Sequence, residues 1–278
     1  MNRNDNRIFA YLILAIIALS IIALLCTAVL GVALLVHRDT PPLETDPDTE
    51  TPADTQVSVD PAEVILGETP DAGMAYIDKM IFFGESTTAH LRSRGVLSGG
   101  TDTEQVWEDK ASGTKTLSSK LLSEPIDYPP TGEKLTPVQA AELAQPEYLV
   151  LSFGLNNISA FINNKALYVS NYSRLIKAIQ AVSPDTKIIL QSVYPVTSYC
   201  DSWNVDGKTV SEYTKTLNQW RPEIAAAHEN ARFVDTASVL TDDNGCLNAA
   251  YDISGDGIHL TTEAYEKILT YLRTHAWE

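Results

Sequence analysis

The chain has 278 residues, 44% of them hydrophobic, which is enough for one full-sized core but too few for two enzymatic domains and an anchor. Its formal net charge is −16, from 36 acidic and 20 basic residues, and no stretch gathers Lys and Arg into a stripe. That balance argues against a nucleic-acid partner, because phosphate binding needs clustered cations.

Residues 8–36 form an almost unbroken apolar run. As a helix, roughly 29 residues extend about 44 Å, against a hydrocarbon core of about 30 Å. A secretory signal has an apolar region of roughly 7 to 15 residues and a small-residue cleavage site, and this run has neither, so it is expected to remain as one transmembrane helix. Cys26 lies mid-run behind the bulky Leu25, a setting for a packed membrane thiol rather than a lipid attachment site. Arg3, Arg7 and the terminal amine precede the run, whereas Arg38 is followed by acids. The positive-inside rule then puts residues 1–7 in the cytoplasm and everything after Val36 outside.

Residues 37–62 are expected to be a linker. The stretch from 39 to 60 is rich in Asp, Glu, Thr and Pro and has few large apolar residues, so it cannot bury enough surface to offset chain entropy. A flexible coil of roughly 22 residues averages about 25 Å end to end, and its prolines and like charges extend it further.

From residue 63 to 278 short apolar runs alternate with amphipathic stretches, the pattern of βα units on a parallel sheet. Strands are predicted over 80–84, 105–107, 148–153, 187–193 and 232–235. The first, third and fourth are continuous apolar runs, as expected where helices cover both faces. Helices are predicted over 87–94, 136–143, 165–182, 210–228 and 262–274, from helix formers with apolar residues spaced three and four apart. The fold class is therefore α/β, a three-layer α/β/α sandwich on a five-stranded parallel sheet.

Ligands of such sheets bind beyond the carboxyl ends of the strands. Three polar clusters fall there. Gly84-Glu85-Ser86-Thr87-Thr88 follows the first strand, and Ser86 opens a helix whose N–H groups and dipole can stabilise developing negative charge. Alone, it is a weak signal, because a Ser at a helix start is usually a cap. Gly154-Leu155-Asn156-Asn157 follows the third strand, where an Asn amide can donate to an oxyanion or merely form a turn. Asp256-Gly257-Ile258-His259 precedes the last helix, at a spacing that lets the carboxylate reach one imidazole nitrogen while the other faces a serine.

In this order the three clusters resemble the blocks of the SGNH, or GDSL, hydrolases, which read Gly-Asp-Ser, a later Gly, Gly-x-Asn-Asp and Asp-x-x-His. The resemblance runs from about residue 79 to 278 and implies a flavodoxin-like fold and serine esterase activity without a cofactor or metal. It makes Ser86 the nucleophile, His259 the general base, Asp256 its orienting carboxylate and Asn156 an oxyanion donor. Gly113 matches the second-block glycine, whose N–H would complete the oxyanion hole with that of Ser86; Gly95, Gly99 and Gly100 compete for the match. The chain departs from the pattern at Glu85 and Asn157, each in place of Asp, for which altered loop packing is expected.

Position 88 is Thr, so Ser86 lacks the Gly-x-Ser-x-Gly of α/β-hydrolases, and no His-Glu-x-x-His is present. Asp242-Asp243-Asn244-Gly245 reads as a turn, lacking the later ligands of a calcium loop. Cys200 and Cys246 follow neighbouring strands and fit either a disulfide or two thiols. Tyr194, Tyr199 and Trp203 either line a groove for a sugar ring or cover the core edge. The expected substrate is a small acyl ester or an acylated glycan of the cell envelope. A sugar O-acyltransferase using the same residues, and a non-catalytic binding module, are the rival readings.

Overall fold

The computed structural model describes residues 59–277 except Tyr199. The expected membrane span, residues 8–36, and most of the expected linker lie outside the described residues. Among the described residues no helix is long and apolar enough to cross a membrane.

Five strands form one sheet: β1 Met80–Gly84, β2 Val106–Trp107, β3 Tyr148–Ser152, β4 Lys187–Gln191 and β5 Ala231–Val234. Their order is β2-β1-β3-β4-β5, and every neighbouring pair is parallel. The five expected strands are thus present, each ending within two residues of its predicted limit. The parallel run also explains their composition, since side chains alternate between two covered faces. Phe83, Leu149, Leu151, Ile188, Leu190 and Phe233 enter one apolar cluster, while Met80, Phe82, Val150, Ile189 and Val234 enter the other.

The first face is covered by α2 Pro137–Ala144, α3 Lys165–Val182 and α4 Val210–Ala226, and the second by α1 Ser86–Ser93 and α5 Thr262–Arg273. Local chemistry fixes where these helices begin. Thr136 with Gln139, and Thr209 with Glu212, close capping boxes at the starts of α2 and α4, and Pro137 stands where a missing N–H costs nothing. The Thr261 hydroxyl caps α5 through the Ala264 N–H. A segment upstream of β1 also joins the core: Val64 is buried and Ile65 bridges to Phe233 beyond the β5 edge.

The strand ends that matter for chemistry meet at Gly84. It lies in register with Ser152 of β3, and a Cβ there would collide with the Ser152 carbonyl and the Thr88 hydroxyl. The carbonyl belongs to a central strand and cannot move aside cheaply. Gly84→Ala is therefore expected to destabilise the fold by about 1–3 kcal/mol, the usual cost of overpacking. Urea unfolding should show a lower midpoint at an unchanged slope; an unchanged midpoint would mean that the two strand ends are not in contact.

Candidate active site

Ser86 is the first residue of α1, directly after the strand end and the extended Glu85. The N–H groups of Ser86 and Thr87 have no acceptor within the helix, since hydrogen bonding to Glu85 begins with Thr88. They form a pair of orphan donors at the positive end of the helix dipole. The Ser86 Oγ lies 3.0 Å from Nε2 of His259, and His259 Nδ1 lies 2.7 Å from Oδ2 of Asp256. A proton on Nδ1, facing the carboxylate, leaves Nε2 to accept from the serine.

The turn carrying these residues is fixed by short-range bonds. Oδ1 of Asp256 accepts the N–H groups of Ile258 and His259, both at 2.9 Å, and Oδ2 also accepts the Ser254 hydroxyl at 2.7 Å. Burial opposes ionisation of Asp256, but the His259 ring, these N–H groups and the Ser254 hydroxyl outweigh it and hold the carboxyl well below its usual range. Gly257 has φ 80°, and a side chain there would strike Cys200 Sγ and Thr197 Oγ1. The Cys200 thiol donates to the Asp256 carbonyl at 3.4 Å.

The Gly-Leu-Asn-Asn turn lies beside Ser86 because of Glu85. This buried side chain accepts three backbone N–H groups, from Gly154 at 2.8 Å and Asn156 at 3.1 Å on Oε1 and from Leu155 at 3.0 Å on Oε2. Burial pushes its carboxyl up, to about 7, while the three N–H groups and Arg221 pull the other way. The expectation of altered loop packing at this departure understated its part: Glu85 ties the first cluster to the second. Asn157, the other departure, precedes the short helix Ile158–Phe161.

The exposed Asn156 donates its amide to Thr114 Oγ1 at 2.8 Å and to the Lys115 carbonyl at 3.2 Å, which brings residues 114–115 to the same turn. Gly113 is not placed as an oxyanion donor. Residues 109–113 form a helical turn in which the Gly113 N–H goes to the Asp109 carbonyl at 2.7 Å, leaving no hydrogen for a substrate. Gly95 and Gly100 donate in the same way to Arg92 and Leu97.

His90 is a neighbour that the sequence reading missed. Its ring centroid lies 4.6 Å from that of His259 at an interplanar angle of 35°, and its buried Nδ1 has no hydrogen-bond partner. Burial, then His259 and Arg94, lower its pKa and favour the neutral ring. The signal was available, because residues four apart on a helix share a face and His90 follows Ser86 by four.

Other expectations resolve by burial. Tyr194 is buried with its hydroxyl taken by Gln191, so it covers the core edge, whereas Trp203 is 53% exposed. Cys200 and Cys246 are present as thiols rather than as a disulfide. Asp242 Oδ1 accepts the N–H groups of Asn244 and Cys246, as a turn requires. Among the described residues no group of three or more His, Cys, Asp or Glu side chains is arranged to hold a metal ion.

A family model described as the GDSL-like lipase/acylhydrolase family matches residues 82–267, more than half of the chain. Comparison with curated proteins gives no match. Similar solved structures include a Bacteroides fragilis protein described provisionally as an acylhydrolase, at 18% identity over 77% of this chain and 90% of that one, with a TM-score of 0.44. The periplasmic domain of a lipopolysaccharide acetyltransferase from Salmonella ser. Paratyphi A is similar at 15% identity over 75% and 84%, with a TM-score of 0.43. A Streptococcus pneumonia protein described provisionally as a platelet activating factor is 24% identical over 48% of this chain and 66% of that one, with a TM-score of 0.41.

Asp256 supplies a test of the turn. A carboxylate whose folded-state pKa is depressed contributes stability above its unfolded value, near 3.8, and that contribution is lost as pH falls below it. Asp256→Asn should flatten the fall in melting temperature on acidification below about pH 4 and lower kcat by on the order of 10⁴-fold, as when an imidazole is held in the wrong tautomer. A variant as acid-sensitive and as active as the wild type would contradict this placement of the carboxylate.

Proposed function

The chain belongs to the GDSL-like lipase/acylhydrolase family, and from that premise we propose that it is a serine esterase tethered to the outer face of a membrane, acting on acetyl esters of cell-envelope glycans. The observation that carries the chemistry is the unbroken chain of bonds from Ser86 Oγ to His259 at 3.0 Å and from His259 to Asp256 at 2.7 Å.

In this reading Ser86 Oγ attacks the ester carbonyl carbon as its proton passes to His259 Nε2. The tetrahedral oxyanion is met by the orphan N–H groups at the start of α1 and by the Asn156 amide, which exchanges its longer bond, 3.2 Å to the Lys115 carbonyl, for the charged oxygen. His259 returns the proton to the departing alkoxide, leaving the acyl group on Ser86. Water then attacks the acyl carbon, giving its proton to His259, and the acid leaves as Ser86 recovers its hydrogen. The ionised Asp256 stabilises the imidazolium in both halves of the cycle.

The glycan and the location rest on different observations. The apolar run 8–36, the acidic linker and the charge asymmetry about them favour an outward-facing domain near the envelope. Trp203, 53% exposed after β4, offers a flat apolar surface suited to a sugar ring.

The full chain in detergent should release free acetate from p-nitrophenyl acetate and from O-acetylated wall glycan, with Ser86→Ala inactive on both. Acetate recovered on an added sugar acceptor would make the protein a transferase, and no turnover with Ser86 unreactive towards a fluorophosphonate would make it a binding module. Trp203→Ala should raise KM several-fold for the glycan and leave p-nitrophenyl acetate hydrolysis unchanged; equal effects on both substrates would remove the sugar-stacking role.

A further inference from the structure

Beneath the Gly154 turn lies a second charge that the catalytic reading does not use. Arg221, on α4, is completely buried. Its Nη2 donates to the Phe153 carbonyl, its Nε donates to the Tyr168 hydroxyl at 2.9 Å, and its guanidinium lies 5.3 Å from the centre of the Tyr172 ring. The Tyr172 hydroxyl adds a bond to the same carbonyl at 3.0 Å. On the far side of that peptide unit the Gly154 N–H goes to Glu85 Oε1 at 2.8 Å. One peptide group is thus held with a cation at its oxygen and a carboxylate at its N–H.

Both charges act on the peptide dipole in its favourable sense. The arrangement leaves the turn little freedom. Gly154 has φ 138°, and a Cβ there would lie 3.1 Å from Val193 Cγ2 and 3.2 Å from both Leu217 Cδ1 and the Tyr168 hydroxyl, so the backbone is packed as well as bonded. The same Glu85 oxygen that holds Gly154 also holds the N–H of Asn156. The backbone of the turn that carries Asn156 is therefore held by Arg221 at the Phe153 carbonyl and by Glu85 at the N–H groups of Gly154, Leu155 and Asn156, while the Asn156 amide itself rests on Thr114 and Lys115.

We propose that Glu85 and Arg221 form a peptide-bridged charge pair that positions Asn156 for the transition state, so that a helix residue remote from the reacting atoms controls turnover through the Phe153–Gly154 peptide. This rests on the proposed acyl-transfer reading, and specifically on Asn156 as an oxyanion donor. Neither Glu85 nor Arg221 touches substrate; both are positioning residues.

The test is a set of double-mutant cycles in the full chain with p-nitrophenyl acetate, with a thermal melt of every variant. Glu85→Gln keeps the shape but has one acceptor oxygen and turns an NH₂ towards a backbone N–H. Arg221→Lys keeps the charge but loses the guanidinium fork. Each should lower kcat by roughly tenfold or more with KM within about twofold, because the loss falls on a group acting mainly in the transition state. Combined with Asn156→Ala, each should cost less than about twofold further, since both changes act on one donor. Glu85→Asp, which keeps both carboxylate oxygens, should recover part of the loss.

A Glu85→Gln enzyme with wild-type kcat overturns the proposal, as do losses that multiply with that of Asn156→Ala. If Glu85→Gln does not fold, Arg221→Lys carries the same cycle with the same criteria. Near wild-type turnover of Asn156→Ala alone is a separate result. It removes the oxyanion reading, and the positioning role with it, whereas multiplied losses with a slow Asn156→Ala remove the positioning role alone.

Discussion

The close approach of two parallel strand ends, Gly84 of β1 and Ser152 of β3, is the constraint on which the site depends. With Gly84 pressed against the Ser152 carbonyl, the segments leaving the two strands emerge side by side. Glu85 then reaches across to three N–H groups of the neighbouring turn while Ser86 opens its helix beside it. The third cluster comes from the chain entering α5, where Asp252, Asp256 and the Ser254 hydroxyl fold a stretch of turn residues around the His259 ring. Two central strand ends, one buried carboxylate and one locally bonded turn thus assemble three segments drawn from residues 84–88, 154–157 and 256–259.

Two carboxylates near Ser86 sit in opposite environments. Asp256, reached by solvent, is surrounded by hydrogen-bond donors that favour its ionised form. Glu85 is fully enclosed, and burial works against its charge although three N–H groups and Arg221 favour it. The first setting suits a group that must remain negative beside an imidazole taking up a proton. The second suits a structural anchor, whose charge is compensated by fixed dipoles and a buried cation instead of by water. Residues of nearly the same chemistry are thus held in opposite ionisation environments, by burial and by the donors that surround each of them.

The sheet and its helices were legible because their signals are local. Apolar runs bounded by turn residues mark β1, β3 and β4, and apolar residues spaced three and four apart mark the helices. Ser86, Asn156, Asp256 and His259 were singled out because each follows a core strand or precedes the last helix, and the structure gathers the first, third and fourth of these into one hydrogen-bonded chain. Gly113 shows where pattern matching ended: the glycine is there, but its N–H is used inside its own turn. Arg221 left no trace in the sequence pattern, since an arginine in the middle of an amphipathic helix reads as a solvent-facing charge until α4 is packed against the end of β3. Glu85 was visible but misjudged, because its partners are backbone N–H groups contributed from nearly seventy residues away.

The central claim is that acyl groups pass through Ser86. Rapid acid quenching of the full chain within its first turnover of p-nitrophenyl acetate, followed by peptide mass spectrometry, examines that step itself. The account predicts one acetyl group on the peptide containing Ser86, located on its hydroxyl and absent from Ser86→Ala. Release of p-nitrophenol with Ser86 unmodified, or with the acetyl group on another residue, would contradict it.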